Sequence, residues 1–326
     1  MSAEPTVSVV VPTRNRVDML QQTLRTILAQ DALLEVIVVD EGSTDGTQET
    51  LRGWRDPRLR LVRHDTPQGL PAARNAGIAR CGGAVIGFCD DDDLWLPDKL
   101  TLQLAAMRAA ASPWAFGGAM TFSDGPRLLH LTPPPTPTRA VERLPWENTV
   151  PGGGSNAIVA ADVLREVGGF DPMLRSLEDW DLWIRLAQVA TPAVVDRPLI
   201  AYREHGGNMS RKIPTMMDSA RILDERYATL RDGEPLDWVG LHRWLAQMVL
   251  RSGDRRGAIG LHLSAVRARH PGALRRLLRS LVPIPPRPPV ASAENATGWI
   301  ERFRPRQVVP WPEGAEEWLG EVLGAP

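Results

Sequence analysis

Cysteine is nearly absent from this 326-residue chain, which contains only Cys81 and Cys89. The two are eight positions apart around an apolar segment, and on an extended strand that spacing lies beyond the reach of a disulfide. We therefore expect both thiols to be reduced, as is typical of a cytoplasmic protein. Lysine is equally scarce, occurring only as Lys99 and Lys212, so arginine carries nearly all the positive charge.

Excess charge and long apolar runs are also missing. The formal net charge is −1, so the chain has no global field that would attract nucleic acid or an anionic membrane. No apolar run reaches the roughly 18 residues of a transmembrane segment, which argues against a polymerase that exports its own product. Residues 1–6 are short and acidic, and we expect no signal peptide.

Apolar runs and helical patterns alternate through the first third of the chain. The β-branched run 7–11 is typical of a buried parallel strand, and Leu20, Leu24 and Ile27 recur at helical spacing. The alternation, with its short joints, predicts an α/β fold with a mostly parallel central sheet. The predicted strands are 7–11, 35–40, 59–63 and 84–89, and the predicted helices are 17–30, 45–54, 71–80 and 99–111.

Composition changes divide the rest of the chain. The proline-rich stretch 132–139 predicts an exposed loop, because proline cannot donate to a sheet. The pattern is helical from residue 214, and a second proline-rich stretch, 283–289, predicts an extended linker before a tail that contains tryptophans. We predict an α/β domain over 1–212, a helical C-terminal region over 213–282 and a tail over 283–326.

Acidic residues follow the second and fourth predicted strands. Ligands of open α/β sheets bind at the carboxyl ends of strands, where Asp40 could accept a hydrogen bond from a base or a ribose; a capped turn explains the same residues. Asp90, Asp91, Asp92 and Asp93 follow the fourth strand, and adjacent carboxylates repel one another unless a cation offsets them. Oxygen ligands suit Mg²⁺ or Mn²⁺, although a solvated acidic loop is the alternative.

Three further segments carry candidate chemistry. Arg74 could pair with phosphate oxygens, or it is a surface arginine. Asp179, beside tryptophans in the segment 178–183, suits a general base with a raised pKa, while acids favoured at a helix start explain it equally well. His205, in a glycine-rich segment, is a metal ligand or a phosphate donor, unless it is structural.

In order and spacing, these segments resemble the family 2 glycosyltransferases, which have the A-type nucleotide-sugar transferase fold. The resemblance extends from about residue 6 to residue 210. One difference is Glu41, where the family usually has a second aspartate. The matching segments are 9–16 (VVVPTRNR), 38–45 (VVDEGSTD), 73–75 (ARN), 90–93 (DDDD), 168–171 (GGFD) and 178–181 (EDWD).

The resemblance also implies roles for single residues. It makes residues 1–212 a catalytic domain that binds the nucleotide sugar and the acceptor. Asp179 would be the general base, and Asp92 and His205 would bind the metal. The implied nucleotide-binding residues are Pro12, Thr13, Asn15, Asp40, Arg74, Asp90 and Asp91.

From this resemblance we expect an inverting transferase that needs Mn²⁺ or Mg²⁺ and prefers a UDP-sugar donor. The acceptor hydroxyl could belong to a glycan, a lipid-linked sugar, a peptide or a small natural product, and the chain could form a homodimer. Two alternatives remain: a nucleotidyltransferase, and a non-catalytic sugar-binding protein derived from a transferase. The first would normally have a glycine-rich basic loop after the first strand, which residues 12–15 (PTRN) are not.

Overall fold

The computed structural model describes residues 6–123, 125, 127–207, 213–238, 240–242, 245–246, 255–267 and 314–324. They belong to two compact units, Met1–Glu204 with Pro312–Pro326, and His205–Trp311. The boundaries that we predicted at residues 212 and 282 remain predictions, because residue 212 and residues 268–313 lie outside the described residues.

The first unit is an α/β domain. Its strands are β1 (Val7–Thr13), β2 (Leu33–Asp40), β3 (Leu59–Arg63), β4 (Val85–Phe88), β5 (Leu94–Trp95), β6 (Trp114–Phe122), β7 (Leu128–Thr132), β8 (Ile158–Ala160) and β9 (Ala193–Arg203). Its helices are α1 (Val17–Leu28), α2 (Thr47–Gly53), α3 (Leu70–Ile78), α4 (Lys99–Ala110), α5 (Pro137–Arg143), α6 (Ala161–Glu166) and α7 (Glu178–Val189).

The strands form one mixed sheet in the order β3-β2-β1-β4-β8-β6-β9-β5, with β7 paired to β6. The first four strands are mutually parallel, as predicted. Strand β8 then runs antiparallel to both β4 and β6, while β6 and β9 are parallel. The carboxyl ends of β1, β2 and β4 therefore meet at one edge, which positions the acidic residues that follow β2 and β4.

The core explains why the N-terminal half of the fold forms. Every residue of β1 is buried, because parallel strands are covered on both faces. Helix α1 buries Leu20, Leu24 and Ile27 completely against the sheet, and each such side chain contributes about 1.5–3 kcal/mol. All the predicted strands and helices of this half are present, with ends that differ by a few residues.

Residues 113–154 contain structure that the sequence did not predict. Strand β6 is buried along its whole length. The proline-rich segment is not one exposed loop: Pro134 is buried, and α5 begins at Pro137, where the Thr136 side chain accepts a hydrogen bond from the Arg139 N–H. Proline suits the first turn of a helix, since no backbone donor is required there.

A C-terminal helix, α10 (Ala315–Leu323), belongs to the first unit and packs against α1, with Leu319 completely buried. Part of the predicted tail is therefore docked on the α/β domain, while Trp299 and Trp311 lie outside the described residues. The second unit contains α8 (Ile213–Arg226) and α9 (Arg255–Arg267). Among the described residues, no helix has both the length and the apolarity to cross a membrane.

Candidate active site

The turn after β4 directs its four carboxylates to different partners. Asp90 is the most exposed of them and accepts a hydrogen bond from Nη2 of Arg74 at 2.6 Å. Asp93 is fully buried, and its carboxylate accepts from the Ser155 hydroxyl at 2.5 Å and from the backbone N–H of Arg203 at 3.0 Å. Burial, with the charges of Asp92 and Asp90, raises the pKa of Asp93 well above its usual range.

Asp91 faces the loop between β1 and α1. Its carboxylate accepts from the Thr13 hydroxyl at 2.7 Å, from the Arg14 N–H at 3.3 Å and from Nη1 of Arg16 at 2.9 Å. The same Arg16 nitrogen donates to Oδ2 of Asp92 at 2.6 Å. Burial first, and the Asp92 charge second, raise the pKa of Asp91 to about 7.

Three of these carboxylates fit a divalent cation. Asp90, Asp92 and Asp93 each offer an oxygen, and the three oxygens lie within 4.8 Å of one another. An all-oxygen set is what Mg²⁺ and Mn²⁺ prefer. The three carboxylates repel one another at these distances, and a bound cation would relieve that repulsion.

Arg74 connects the acidic turn with α7. It is 1% exposed, and Nη1 donates to Oε1 of Glu178 at 2.6 Å while Nη2 holds Asp90. Its guanidinium lies 4.9 Å from the ring centre of Phe170. The desolvation of so buried a cation opposes its charge, but the carboxylates outweigh it, and the pKa of Arg74 is raised. Burial in turn raises the pKa of Glu178 to about 7.

The first turn of α7 presents side chains to different parts of the domain. Trp180 donates from Nε1 to the backbone oxygen of Leu144 at 2.7 Å. Asp181 is fully buried and pairs with Nη2 of Arg185 at 2.7 Å. Arg185 also donates to the backbone oxygens of Val167 and Gly169, so that it fixes the 168–171 turn to the helix.

Asp179, the predicted base, takes its hydrogen bonds from neutral donors. Oδ1 accepts from the Trp180 N–H at 2.7 Å, and Oδ2 accepts from the Asn148 amide at 3.3 Å. Gly153 lies against the same carboxylate, since a Cβ at that position would be 3.0 Å from Oδ2. Burial raises the pKa of Asp179; the nearby Arg74 charge opposes this shift in part, and the Asp90 charge adds to it. A raised pKa in a partly exposed carboxylate suits proton acceptance.

The end of β2 holds the predicted nucleobase residue. Asp40 is fully buried; Oδ1 accepts from the Ser43 N–H at 2.8 Å, and Oδ2 pairs with Nη1 of Arg63 at 2.6 Å. Glu41 pairs with His64 and accepts from the N–H groups of the two residues that precede α3, 68 and 69. The longer side chain of glutamate thus joins β2 to the loop before α3.

The predicted nucleotide-binding residues of the β1–α1 loop line the same edge. Pro12 and Thr13 end β1 beside Val39 and Asp40. Asn15 has a left-handed backbone, with φ of 53°, and accepts from the Thr44 N–H at 2.8 Å, so the loop is held to the segment after β2. The structure therefore brings Pro12, Thr13, Asn15, Asp40, Arg74, Asp90, Asp91, Asp92 and Asp179 into the first unit, around the carboxyl edge of the sheet.

His205 is the exception, because it belongs to the second unit. It is buried there, and its Nδ1 accepts from the Gly207 N–H at 3.1 Å. Its role as a metal ligand remains a prediction.

Sequence reasoning gave no role to several residues that shape this site. Arg203 is buried and donates from Nε to the backbone oxygen of Asp92 at 2.9 Å. Ser155 accepts from the Asp90 N–H at 3.0 Å while donating to Asp93, and thus joins both ends of the acidic turn. Arg16 stands inside a matched segment, but spacing alone gave no sign that it pairs with Asp91 and Asp92.

Comparison with known families identifies the domain. The profile described as "Glycosyl transferase family 2" matches residues 8–168. Residues 8–168 belong to this family. The matched residues of the transferase contain all of the acidic turn and Arg74, while Asp179 follows them by eleven positions.

Curated relatives resemble different lengths of this transferase. A candidate teichuronic acid biosynthesis glycosyltransferase of Bacillus subtilis is 29% identical over 188 residues, which cover 56% of this chain and 72% of that one. An uncharacterised glycosyltransferase of Rickettsia bellii is 28% identical over 226 residues, covering 67% of this chain and 33% of that one. Succinoglycan biosynthesis protein ExoO of Rhizobium meliloti is 37% identical over 128 residues, covering 39% of this chain and 37% of that one. The chain thus spans about a third of the length of the last two.

Solved structures share the fold. A mannosyltransferase from Pyrobaculum calidifontis, in complex with GDP-Man and Mn²⁺, has a TM-score of 0.53 at 21% identity, covering 86% of this chain and 80% of that one. Residues 1–349 of S. aureus TarS, in complex with UDP-GlcNAc, have a TM-score of 0.52 at 18% identity, covering 84% of this chain and 89% of that one. These likenesses confirm the predicted A-type transferase fold.

Proposed function

We propose that this transferase moves a sugar from a nucleoside diphosphate carrier onto an acceptor hydroxyl, with inversion, and that Asp179 is the general base. The observation that carries this proposal is the division of roles at the start of α7. Glu178 is paired with Arg74 and Asp181 with Arg185, whereas Asp179 takes its hydrogen bonds from neutral donors and is partly exposed. Glu178 and Asp181 are almost completely buried, and each gives an oxygen to an arginine, so they are less accessible to an acceptor hydroxyl than Asp179.

In the proposed step, the acceptor oxygen attacks the anomeric carbon as its proton passes to Asp179. The bond from that carbon to the diphosphate oxygen breaks on the opposite face, so a single displacement inverts the centre. Inversion needs one base and no covalent nucleophile.

On the donor side, Asp90, Asp92 and Asp93 are the residues that would hold a Mn²⁺ or Mg²⁺ ion. A bound ion of this kind offsets the charge that develops on a departing diphosphate. The sequence resemblance favours Asp92 and His205 as ligands; the mutual proximity of the carboxylate oxygens adds Asp90 and Asp93 to the proposal. Arg74, which holds Asp90 in place, is the cation we assign to positioning the donor side.

For the donor we propose a UDP-sugar. Its base would meet the edge formed by Pro12, Thr13, Asn15 and Asp40. There the buried Asp40 pairs with the exposed Arg63, so that an acceptor and a donor lie side by side. For the acceptor we propose a carbohydrate hydroxyl, because two curated relatives are named for teichuronic acid and succinoglycan biosynthesis. Cytoplasmic location and dimer formation remain expectations from the sequence.

The experiment that tests this function measures the nucleotide product and the turnover of matched variants. The full chain is incubated with Mn²⁺, an oligosaccharide acceptor panel and UDP-, dTDP- or GDP-sugars, and the nucleotide is identified by mass spectrometry. Released nucleoside diphosphate supports sugar transfer. A nucleotidyltransferase would leave these donors intact and would release pyrophosphate only in a parallel reaction that contains a nucleoside triphosphate and a sugar 1-phosphate. Binding without any turnover would indicate a sugar-binding protein.

Asp179→Asn is then compared with Glu178→Gln and Asp181→Asn. We expect the Asp179 variant to lose about 100- to 10,000-fold in turnover while it binds the donor with nearly unchanged affinity. The base assignment fails if this variant keeps normal turnover, or if donor affinity falls in step with rate.

A further inference from the structure

Arg16 occupies an unusual position for a cation, because it contacts Asp92, one of the three carboxylates proposed to hold a metal ion. One nitrogen, Nη1, donates both to Oδ1 of Asp91 at 2.9 Å and to Oδ2 of Asp92 at 2.6 Å. The Arg16 side chain is 24% exposed, while both carboxylates are almost completely buried. Arg16 therefore already supplies part of the positive charge that the cluster requires.

The backbone that carries Arg16 is fixed on both sides. The Asn15 N–H donates to the Ser43 hydroxyl at 2.9 Å, and the Val17 N–H donates to Oδ2 of Asp45 at 2.9 Å. Any change in the position of the guanidinium must therefore come from rotation of the Arg16 side chain. An arginine side chain has several rotatable bonds and so can turn without moving the loop.

Asp91 and Asp92 differ in how they are held. Asp91 accepts from Thr13 and Arg14 besides Arg16, and it is not one of the three clustered carboxylates. Asp92 is one of the three, and the oxygen it gives to Arg16 is a strong acceptor that a divalent cation also seeks. Two cations that share one carboxylate in a buried cluster repel each other, and that repulsion is poorly screened there.

We propose that Arg16 is a positioning residue that exchanges with the divalent cation: it neutralises Asp92 before the metal binds, and it retreats to Asp91 when the metal takes Asp92. This inference rests on the metal-dependent function proposed above. Asp91 acts as the carboxylate that keeps the released guanidinium beside the site. The arginine thus keeps the buried cluster folded without metal, at the expense of metal affinity.

The test is a titration of the full chain with Mn²⁺ in the absence of nucleotide. Electron paramagnetic resonance measures the concentration of unbound Mn²⁺ at each point. Arg16→Gln removes the competing cation, and we expect it to bind Mn²⁺ about tenfold more tightly than the unaltered chain, which corresponds to one charge-assisted hydrogen bond. Arg16→Lys keeps the charge and should bind with an affinity between the two. Arg14→Gln is the matched control: it removes the same charge from an exposed side chain of the same loop, and its affinity should stay near that of the unaltered chain.

A second readout is thermal unfolding in excess chelator, where Arg16→Gln should melt below the unaltered chain and then gain more from added Mn²⁺. If the role of Arg16 were merely structural, Arg16→Gln would be less stable than the unaltered chain and would bind Mn²⁺ equally or more weakly. The exchange is overturned if Arg16→Gln binds Mn²⁺ no more tightly than Arg14→Gln. If Arg16→Gln fails to fold, Arg16→Lys is used instead, and the exchange is overturned if this variant binds Mn²⁺ no more tightly than the unaltered chain. If the unaltered chain binds neither Mn²⁺ nor Mg²⁺, the metal requirement of the proposed function fails as well, which separates the two failures.

Discussion

Nη1 of Arg74 donates to Oε1 of Glu178 at 2.6 Å, across 104 positions of sequence. The pair is buried, and Arg74 also holds Asp90, so one guanidinium joins the acidic turn after β4 to the first residue of α7. Helix α7 also carries the proposed base. This cation therefore helps to set the spacing between the acidic turn and the helix that carries the proposed base.

Arg74→Gln should destabilise the fold by about 3–5 kcal/mol, since it leaves Glu178 buried without its cation. Denaturant unfolding measures this loss. Arg80→Gln changes an exposed arginine just after α3 and should stay within about 0.5 kcal/mol of the unaltered chain. The double variant Arg74→Gln with Glu178→Gln should recover part of the loss. Equal effects of the two single arginine substitutions would contradict the role of the pair.

Gly153→Ala should slow turnover about 10- to 100-fold at saturating donor, because its Cβ would stand 3.0 Å from Oδ2 of Asp179 and displace the proposed base. Gly153 also has φ of +61°, where alanine is strained by about 1–2 kcal/mol. Gly46→Ala is the matched control, since its φ is +86° but nothing lies within 4 Å of the added carbon. Both variants should lose similar stability, and only the first should lose rate; equal rates would argue against crowding of Asp179.

Lys99 should make stability increase with pH above neutrality. Burial lowers its pKa to about 7 in the folded chain, whereas the unfolded chain has a lysine pKa of about 10.4. Between these values the unfolded state binds more protons, so the free energy of unfolding rises with pH. Relative to Lys99→Met, the unaltered chain should gain about 1.5 kcal/mol between pH 7 and 8.5, measured by urea unfolding. Parallel pH curves for the two proteins would show that Lys99 does not titrate this way.

Leu319→Ala should destabilise the first unit by about 2–5 kcal/mol, because Leu319 is completely buried where α10 packs on α1. Glu317→Ala, on the exposed side of the same helix, controls for changes in helix propensity. Thermal or denaturant unfolding provides the comparison. A loss no larger than that of Glu317→Ala would mean that the C-terminal helix adds little to the fold.

The N-terminal half of the fold could be predicted because its signals are local. Strand β1 is a continuous β-branched run, and α1 repeats its apolar residues at helical spacing. Strand β6 gave no such signal, since it is neither alternating nor β-branched and contains Gly117 and Gly118. Its glycines have a tertiary reason: a Cβ on Gly117 would come within 2.5 Å of a Leu199 methyl group on the neighbouring strand. Sequence alone does not reveal that approach.

The sequence grouped the residues of the candidate site but did not indicate their hydrogen-bond partners. The family resemblance assigned Asp40, Arg74, the acidic turn and Asp179 to one site, and the structure brings them around one edge of the sheet. Their partners come from distant positions: Asp93 accepts from Arg203, 110 positions away, and Asp92 from Arg16, 76 positions away. Such pairings depend on how α1 and β9 approach the turn, and no spacing rule gives that approach.

The burial of Lys99 has a practical consequence for chemistry on this protein. Its Nζ is enclosed by Gln103, the backbone oxygen of Asn156 and the Trp95 ring, and the chain has only one other lysine, Lys212. Amine-directed reagents should therefore reach Lys99 only when the domain opens. The rate at which Lys99 gains the mass of the reagent would therefore measure how often the core around it opens.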